Sequence, residues 1–124
     1  MIELLDGFPS DVLAFRLTGQ ITARDYDEVL MPPIRVAFEE GGDLRVYVEM
    51  GHDFTGFEPG ALWEDVKAGV QYGLMHRDQW KKMAIVTDLT WIGRLVVLFG
   101  WMAPGELQLF TFEQLLKAKH WVSD

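Results

Sequence analysis

The stretch MAIVT, residues 83–87, decides the fold class of this chain. It is a continuous apolar run of strand length, without the alternation typical of a strand that has one face in water. Such runs occur in central strands of parallel sheets, whose crossover helices cover both faces. The run therefore predicts a buried strand in an α/β domain, with Ile85 and Val86 covered on opposite sides.

Further strand patterns lie on both sides of this stretch. We predict strands over residues 2–5, 12–18, 44–50 and 107–110. The turn-forming cluster at 6–10 joins the first two strands in an opening hairpin. The sheet is therefore expected to have five strands.

Helical patterns fill the connections between these strands. Thr22 is a candidate cap for a first helix that ends before Gly41, and Pro32-Pro33 either kinks this helix or begins a second one. Another helix is predicted from residue 61 to 74, and Thr90 is expected to cap a third over residues 91–102. The sequence TFEQ at 111–114 is a capping-box pattern for the last helix. The order β-β-α-β-α-β-α-β-α predicts one domain over residues 1–124 with a mostly parallel sheet and right-handed crossovers.

Composition limits the function classes. The chain has 124 residues, no cysteine and a formal net charge of −8. This charge repels phosphate backbones, so we expect no nucleic acid partner. The absence of cysteine fits a reducing compartment, and the first residues have no leader pattern, so we expect a cytoplasmic protein.

Catalytic motifs are missing from the sequence. Ser10 and Ser123 are the only serines, and neither follows a strand in a nucleophile elbow. His52, His76 and His120 lack the spacing of a helical metal pair. We therefore expect a protein that is not an enzyme, with no metal and no cofactor.

The ordered set of local strings resembles the SpoIIAA-like family. The strings are LTGQIT at 17–22, DY at 25–26 with VL at 29–30 and a proline in the first helix, ALWED at 61–65, MAIVTD at 83–88, and the Phe110 strand with its helix. The resemblance covers nearly the whole chain. It implies the STAS fold of the anti-anti-sigma factors, an architectural likeness to CRAL-TRIO lipid-binding domains, frequent dimers, and apolar ligands or membranes as partners.

The segment 51–60 is predicted as the longest loop, at the carboxyl end of a strand, where open α/β sheets place their sites. A solvated loop pair is the favoured interpretation of His52 and Asp53, with cation binding as the alternative. The resemblance implies a phosphorylation switch near the start of the second helix. Only Thr55 offers a hydroxyl there, and a threonine that simply caps or turns the loop is the favoured alternative.

The segment 91–103 is the most unusual part of the chain, because Arg94 is its only charge. A helix that is apolar all round cannot be satisfied by one sheet face, and this one is too short to cross a bilayer. We expect its second face to meet a neighbouring helix, a copy of the chain, an apolar ligand or a membrane surface. The predicted binding residues, on the second and third helices, are Trp63, Trp91, Ile92, Leu95, Phe99 and Trp101. The expected partners are a second copy in a homodimer, an apolar small molecule or a peripheral membrane contact.

Overall fold

The structure of the chain is a computed structural model that describes the backbone of residues 1–103 and 105–124. The side chains it leaves undescribed within that backbone are those of Ala61, Leu62, Trp63, Asp65, Val66, Val70, Phe99 and Met102.

Five strands form one sheet, and their order in the sheet follows the chain. The strands are β1 (Ile2–Leu4), β2 (Val12–Ile21), β3 (Leu44–Phe57), β4 (Trp80–Thr87) and β5 (Glu106–Phe110). β1 pairs antiparallel with β2, and the other three pairs are parallel. The predicted α/β fold with an opening hairpin is confirmed.

The helices connect these strands. They are α1 (Ala23–Asp25), a π-helical turn (Tyr26–Leu30), α2 (Met31–Glu39), α3 (Ala61–Met75), α4 (Thr90–Phe99) and α5 (Leu115–Ser123). Short 3₁₀ turns, Gly100–Met102 and Phe112–Gln114, follow α4 and precede α5. α1, the π turn and α2 run on without a break, so the fold has four helical segments.

The two faces of the sheet are covered differently. One core cluster packs β2, β3 and β4 against α2 and α4, through residues such as Phe15, Phe38 and Ile92. A second cluster packs the other face against α5, through Ala118 and Val122. Right-handed crossovers that step in one direction along a sheet place their helices on the same side. The second face is therefore left to α5 and to the loop between β1 and β2.

The start of the first helical segment follows from the predicted cap. The Thr22 hydroxyl accepts the Asp25 backbone N–H at 3.1 Å, and the Asp25 carboxylate accepts the Thr22 N–H at 3.0 Å. The hydrogen bond from the Thr22 backbone lowers the pKa of Asp25. The two prolines fall in the first turn of α2, directly after the π turn.

Two predicted boundaries are wrong. β3 continues to Phe57, so most of the predicted loop 51–60 is strand, because Phe54 and Gly56 alternate with exposed neighbours and pair with β2. Thr90 does not cap α4. Leu89 precedes the helix without a side-chain cap, and the Thr87 hydroxyl accepts its N–H at 3.1 Å.

The central position of β4 yields the first prediction. Ile85 and Val86 are buried in the two different core clusters, as expected of a strand covered on both faces. Val86→Ala should lower the free energy of unfolding by about 1–4 kcal/mol, because it removes two methyl groups from a filled site. Chemical denaturation measures this change.

Val97→Ala is the matched control, because it makes the same substitution at a side chain that is 80% exposed. It should change the free energy of unfolding by no more than about 0.5 kcal/mol. Equal losses at the two sites would contradict the central placement of β4.

Candidate functional site

The outward side of α4 and of the turn after it carries five exposed apolar side chains, which we call the α4 surface. They are Trp91, Leu95, Val97, Leu98 and Trp101. Val97 and Trp101 are each 80% exposed, and Leu98 is 61% exposed. Exposed apolar residues are ordinary when single, but a group on one helix marks a contact surface.

The inward side of α4 explains why these residues point outward. Ile92 is buried in the core and Val96 packs against it, one turn further along the helix. Gly93 and Gly100 let the helix lie close to β5, since a Cβ atom at Gly100 would be 3.2 Å from the Leu107 side chain. The helical period then turns the remaining apolar residues away from the sheet.

An aromatic stack extends the α4 surface to the end of β3. The Trp91 ring lies parallel to Phe54, with centroids 5.6 Å apart. Phe54 also meets the half-exposed Phe57 edge-on at 5.6 Å. The apolar surface is therefore not confined to one helix.

A shallow groove of about 660 Å³ lies between α4 and the end of β5. Val97, Leu98 and Leu109 give it apolar walls, and Asp88 and Arg94 are the charged residues among its described lining. The Asp88 carboxylate accepts the Phe112 N–H at 3.1 Å, so it has a structural hydrogen bond. The groove suits an apolar group more than an ion.

The structure brings together three of the predicted binding residues, Trp91, Leu95 and Trp101, on the α4 surface. Ile92 requires a correction, because it is 6% exposed and belongs to the core. The side chains of Trp63 and Phe99 lie outside the described residues.

The predicted regulatory residues lie on β3. His52, Asp53 and Thr55 are all exposed. Among the described residues, no group of three or more His, Cys, Asp or Glu side chains could hold a metal ion. Thr55 precedes the first residue of α3 by six positions, and the residue is exposed.

Sequence reasoning missed Val97 and Leu98, the most exposed aliphatic side chains of α4. A helix that buries residues 92 and 96 exposes 97 and 98, but which residues of this almost wholly apolar helix are buried is shown only by the structure. Sequence reasoning also missed the polar residues on the opposite face of the sheet, where strand alternation predicts core.

An ion pair between the half-exposed Arg16 and the buried Glu49 occupies that opposite face. Glu49 is 5% exposed, and its carboxylate accepts the Arg16 Nε–H at 3.0 Å and the Tyr47 hydroxyl at 2.7 Å. Phe8 covers Tyr47, with ring centroids 4.8 Å apart. Burial raises the pKa of Tyr47, and the hydrogen bond to Glu49 raises it further. The hydrogen bond to Glu49 also raises the pKa of Arg16, so the guanidinium stays charged.

A family model described as SpoIIAA-like matches residues 12–123, almost the whole chain. The chain belongs to the SpoIIAA-like family. A solved structure agrees with this assignment: an uncharacterised protein of the DUF3478 family with a SpoIIAA-like fold, from Shewanella loihica PV-4. It is 25% identical, the match covers 98% of this chain and 93% of that one, and the TM-score is 0.71. Curated protein sequences contain no match.

No helix in the described part of this SpoIIAA-like chain is both long enough and apolar enough to cross a bilayer. The family match and the solved structure confirm the expected SpoIIAA-like fold. The family assignment does not identify a ligand.

The buried Tyr47 of this SpoIIAA-like domain yields the second prediction. A phenol whose pKa is raised in the folded state contributes stability that is present below its ordinary pKa of 10.0 and is lost as pH rises above it. Tyr47→Phe should be less stable by about 1–2 kcal/mol at neutral pH, because Glu49 loses a hydrogen bond. The difference between the two proteins should shrink above about pH 10.

Urea denaturation between about pH 7 and 11 measures the difference. Tyr72→Phe removes a phenol elsewhere and controls for the substitution itself. A constant difference between wild type and Tyr47→Phe across this range would contradict the burial of the phenol.

Proposed function

We propose that this SpoIIAA-like protein is a non-catalytic module that binds a neutral lipid surface through the α4 surface. The observation that carries the proposal is the exposure of Val97, Leu98 and Trp101 on a segment whose only charge is Arg94. A helix whose inward side packs on the sheet can place its apolar outward side in the membrane interface, among the acyl chains.

The side-chain types support an interfacial site. Tryptophan is enriched at membrane–water interfaces, and Trp91 and Trp101 stand at the two ends of the α4 surface. Arg94 is exposed, and its long side chain can keep the guanidinium in the headgroup region while its stem contacts apolar groups. α3 is the other helix predicted to carry binding residues, and Leu74 and Met75 at its end are exposed apolar side chains.

The net charge defines which lipid is expected. At −8, the chain is repelled by anionic headgroups, so burial of apolar area must supply the affinity. Fully burying one aliphatic side chain is worth about 1.5–3 kcal/mol, so a few of these residues suffice for measurable binding. Binding should therefore be strongest on zwitterionic vesicles and almost insensitive to salt.

The third prediction tests the α4 surface directly. Leu98→Asp should reduce binding to phosphatidylcholine vesicles by about tenfold or more, because a carboxylate would have to enter the interface in place of an aliphatic group. Vesicle co-flotation measures the bound fraction at matched protein and lipid concentrations.

Leu116→Asp is the matched control. Leu116 is a 70% exposed leucine on α5, which packs on the opposite face of the sheet, and the change adds the same charge. Its binding should equal that of the wild type. Failure of the wild type to float with neutral vesicles, or equal losses in both variants, would refute the lipid proposal.

A protein-interaction module is the second candidate, and the free edge of β5 favours it. Among the strands of the described residues β5 pairs only with β4, and its residues ELQLF include no proline or lysine that would protect an edge. A second copy could pair β5 with β5 across a two-fold axis and cover the groove beside Leu98 and Leu109. Thr55 remains a predicted switch for such contacts.

The same variant separates the two candidates. Under the interaction proposal, sedimentation should show a dimer for the wild type and a monomer for Leu98→Asp, with no vesicle binding in either. Under the lipid proposal, the mass is unchanged and only vesicle binding is lost.

A further inference from the structure

A second candidate site lies on the opposite face of the sheet from the α4 surface. There a cleft of about 390 Å³ opens between β2, β3 and the start of α5. Arg16 and Glu49 line it from the sheet, and Leu115 and Lys119 line it from α5. It shares no lining residue with the groove beside α4, so it is independent of the proposed lipid surface.

The cleft exists because the strands and the helix leave this part of the face uncovered. Gly51 contributes no side chain to the cleft, and its φ is not positive, so its backbone conformation does not require glycine. Between the pairs Leu17↔Met50 and Gly19↔Phe54 the register shifts, so three residues of β3 lie opposite one residue of β2. Irregular pairing of this kind is frequent beside functional sites.

The ion pair in the cleft is built to hold a guanidinium in place. Both carboxylate oxygens of Glu49 have hydrogen bonds, one from the Arg16 Nε–H and one from the Tyr47 hydroxyl. The two terminal nitrogens of Arg16 have no hydrogen-bond partner among the described residues, and the side chain is 46% exposed. Arg16 can therefore present the end of its guanidinium, which matches a carboxylate in a bidentate pair.

The other charges in the cleft select the ligand. The Lys119 ammonium lies 5.3 Å from the centre of the Phe8 ring and forms no ion pair with a described side chain. Asp53 also lines the cleft, and its negative charge offsets the positive charge of Lys119. Because Asp53 and the net charge of −8 both repel anions, a single negative charge fits better than the double charge of a phosphate.

We propose that this cleft binds a small monocarboxylate, whose carboxylate group contacts Arg16 and Lys119 and whose apolar part lies against Leu115 and Phe112. Glu49, which is ion-paired with Arg16, acts as its positioning group. It does not touch the ligand in this arrangement.

The test is a titration of the ¹⁵N-labelled protein with benzoate at low ionic strength, followed by NMR. Benzamide, which has the same shape without the charge, is titrated in parallel. Benzoate should bind with a Kd of about 1 mM and shift the Arg16 Nε–H and the amides of Leu115 and Lys119, whereas benzamide should not saturate. Equal shifts from the two compounds, or benzoate shifts confined to the α4 surface, would overturn the proposal.

Variants identify the contacts. Arg16→Lys keeps the charge but loses the bidentate geometry, and it should weaken benzoate binding by about fivefold or more. Arg24→Lys is the matched control, because Arg24 is an exposed arginine that pairs with Glu28, and it should leave the affinity unchanged. Equal affinities in the two variants would contradict the assigned contact.

Gly51→Val keeps every charge and fills the floor of the cleft. A Cβ atom there meets the Asp53 carboxylate at 3.2 Å, a flexible side chain that can move aside, so the fold should survive. Benzoate binding should be lost in this variant even if Arg16→Lys does not fold. A folded Gly51→Val protein with wild-type affinity would show that the cleft is not the site.

Discussion

The order of the strands is the constraint on which the other features of this molecule depend. Because β2, β3, β4 and β5 follow one another across the sheet, every parallel connection steps in the same direction. Right-handed crossovers then place their helices on one face. α4 is the last of these helices and lies over β5, the edge strand, so no later connecting helix covers its outer side. The other face receives the loop between β1 and β2 and α5, which is nine residues long and leaves the cleft beside it open.

The sequence predicted those elements whose local residue pattern matches their place in the folded domain. The buried strand at 83–87, the helix cap at Thr22 and the capping box at Thr111–Gln114 all appear as expected, since each depends on a few neighbouring residues. β3 was predicted too short, because Gly51 and Asp53 are typical of turns, whereas the strand resumes its pairing with β2 at Phe54. The sequence also could not show which side chains of α4 face the sheet. An almost wholly apolar helix has no polar face to orient it, and the position of Ile92 was fixed by packing.

The polar cleft shows a different limit of sequence reasoning. Arg16 and Glu49 belong to different strands, 33 positions apart, and they meet only through the parallel pairing of β2 and β3. Nothing in either local pattern distinguishes them from ordinary surface charges. The apolar surface, in contrast, could be predicted from composition alone, since one charge in 13 residues is rare in a helix with a solvent-exposed face.

The physical cost of the Arg16–Glu49 pair bears on its purpose. Removing a carboxylate from water is unfavourable, and well-packed apolar residues of similar size often replace a buried ion pair without loss of stability. The neighbouring positions on this face, Val12 and Ala14, are apolar and buried, so such a replacement would suit the local packing. Stability alone therefore does not account for a carboxylate whose two oxygens hold a half-exposed arginine and a buried tyrosine. A fixed guanidinium with free donors beside an open cleft is accounted for if the site recognises an anion.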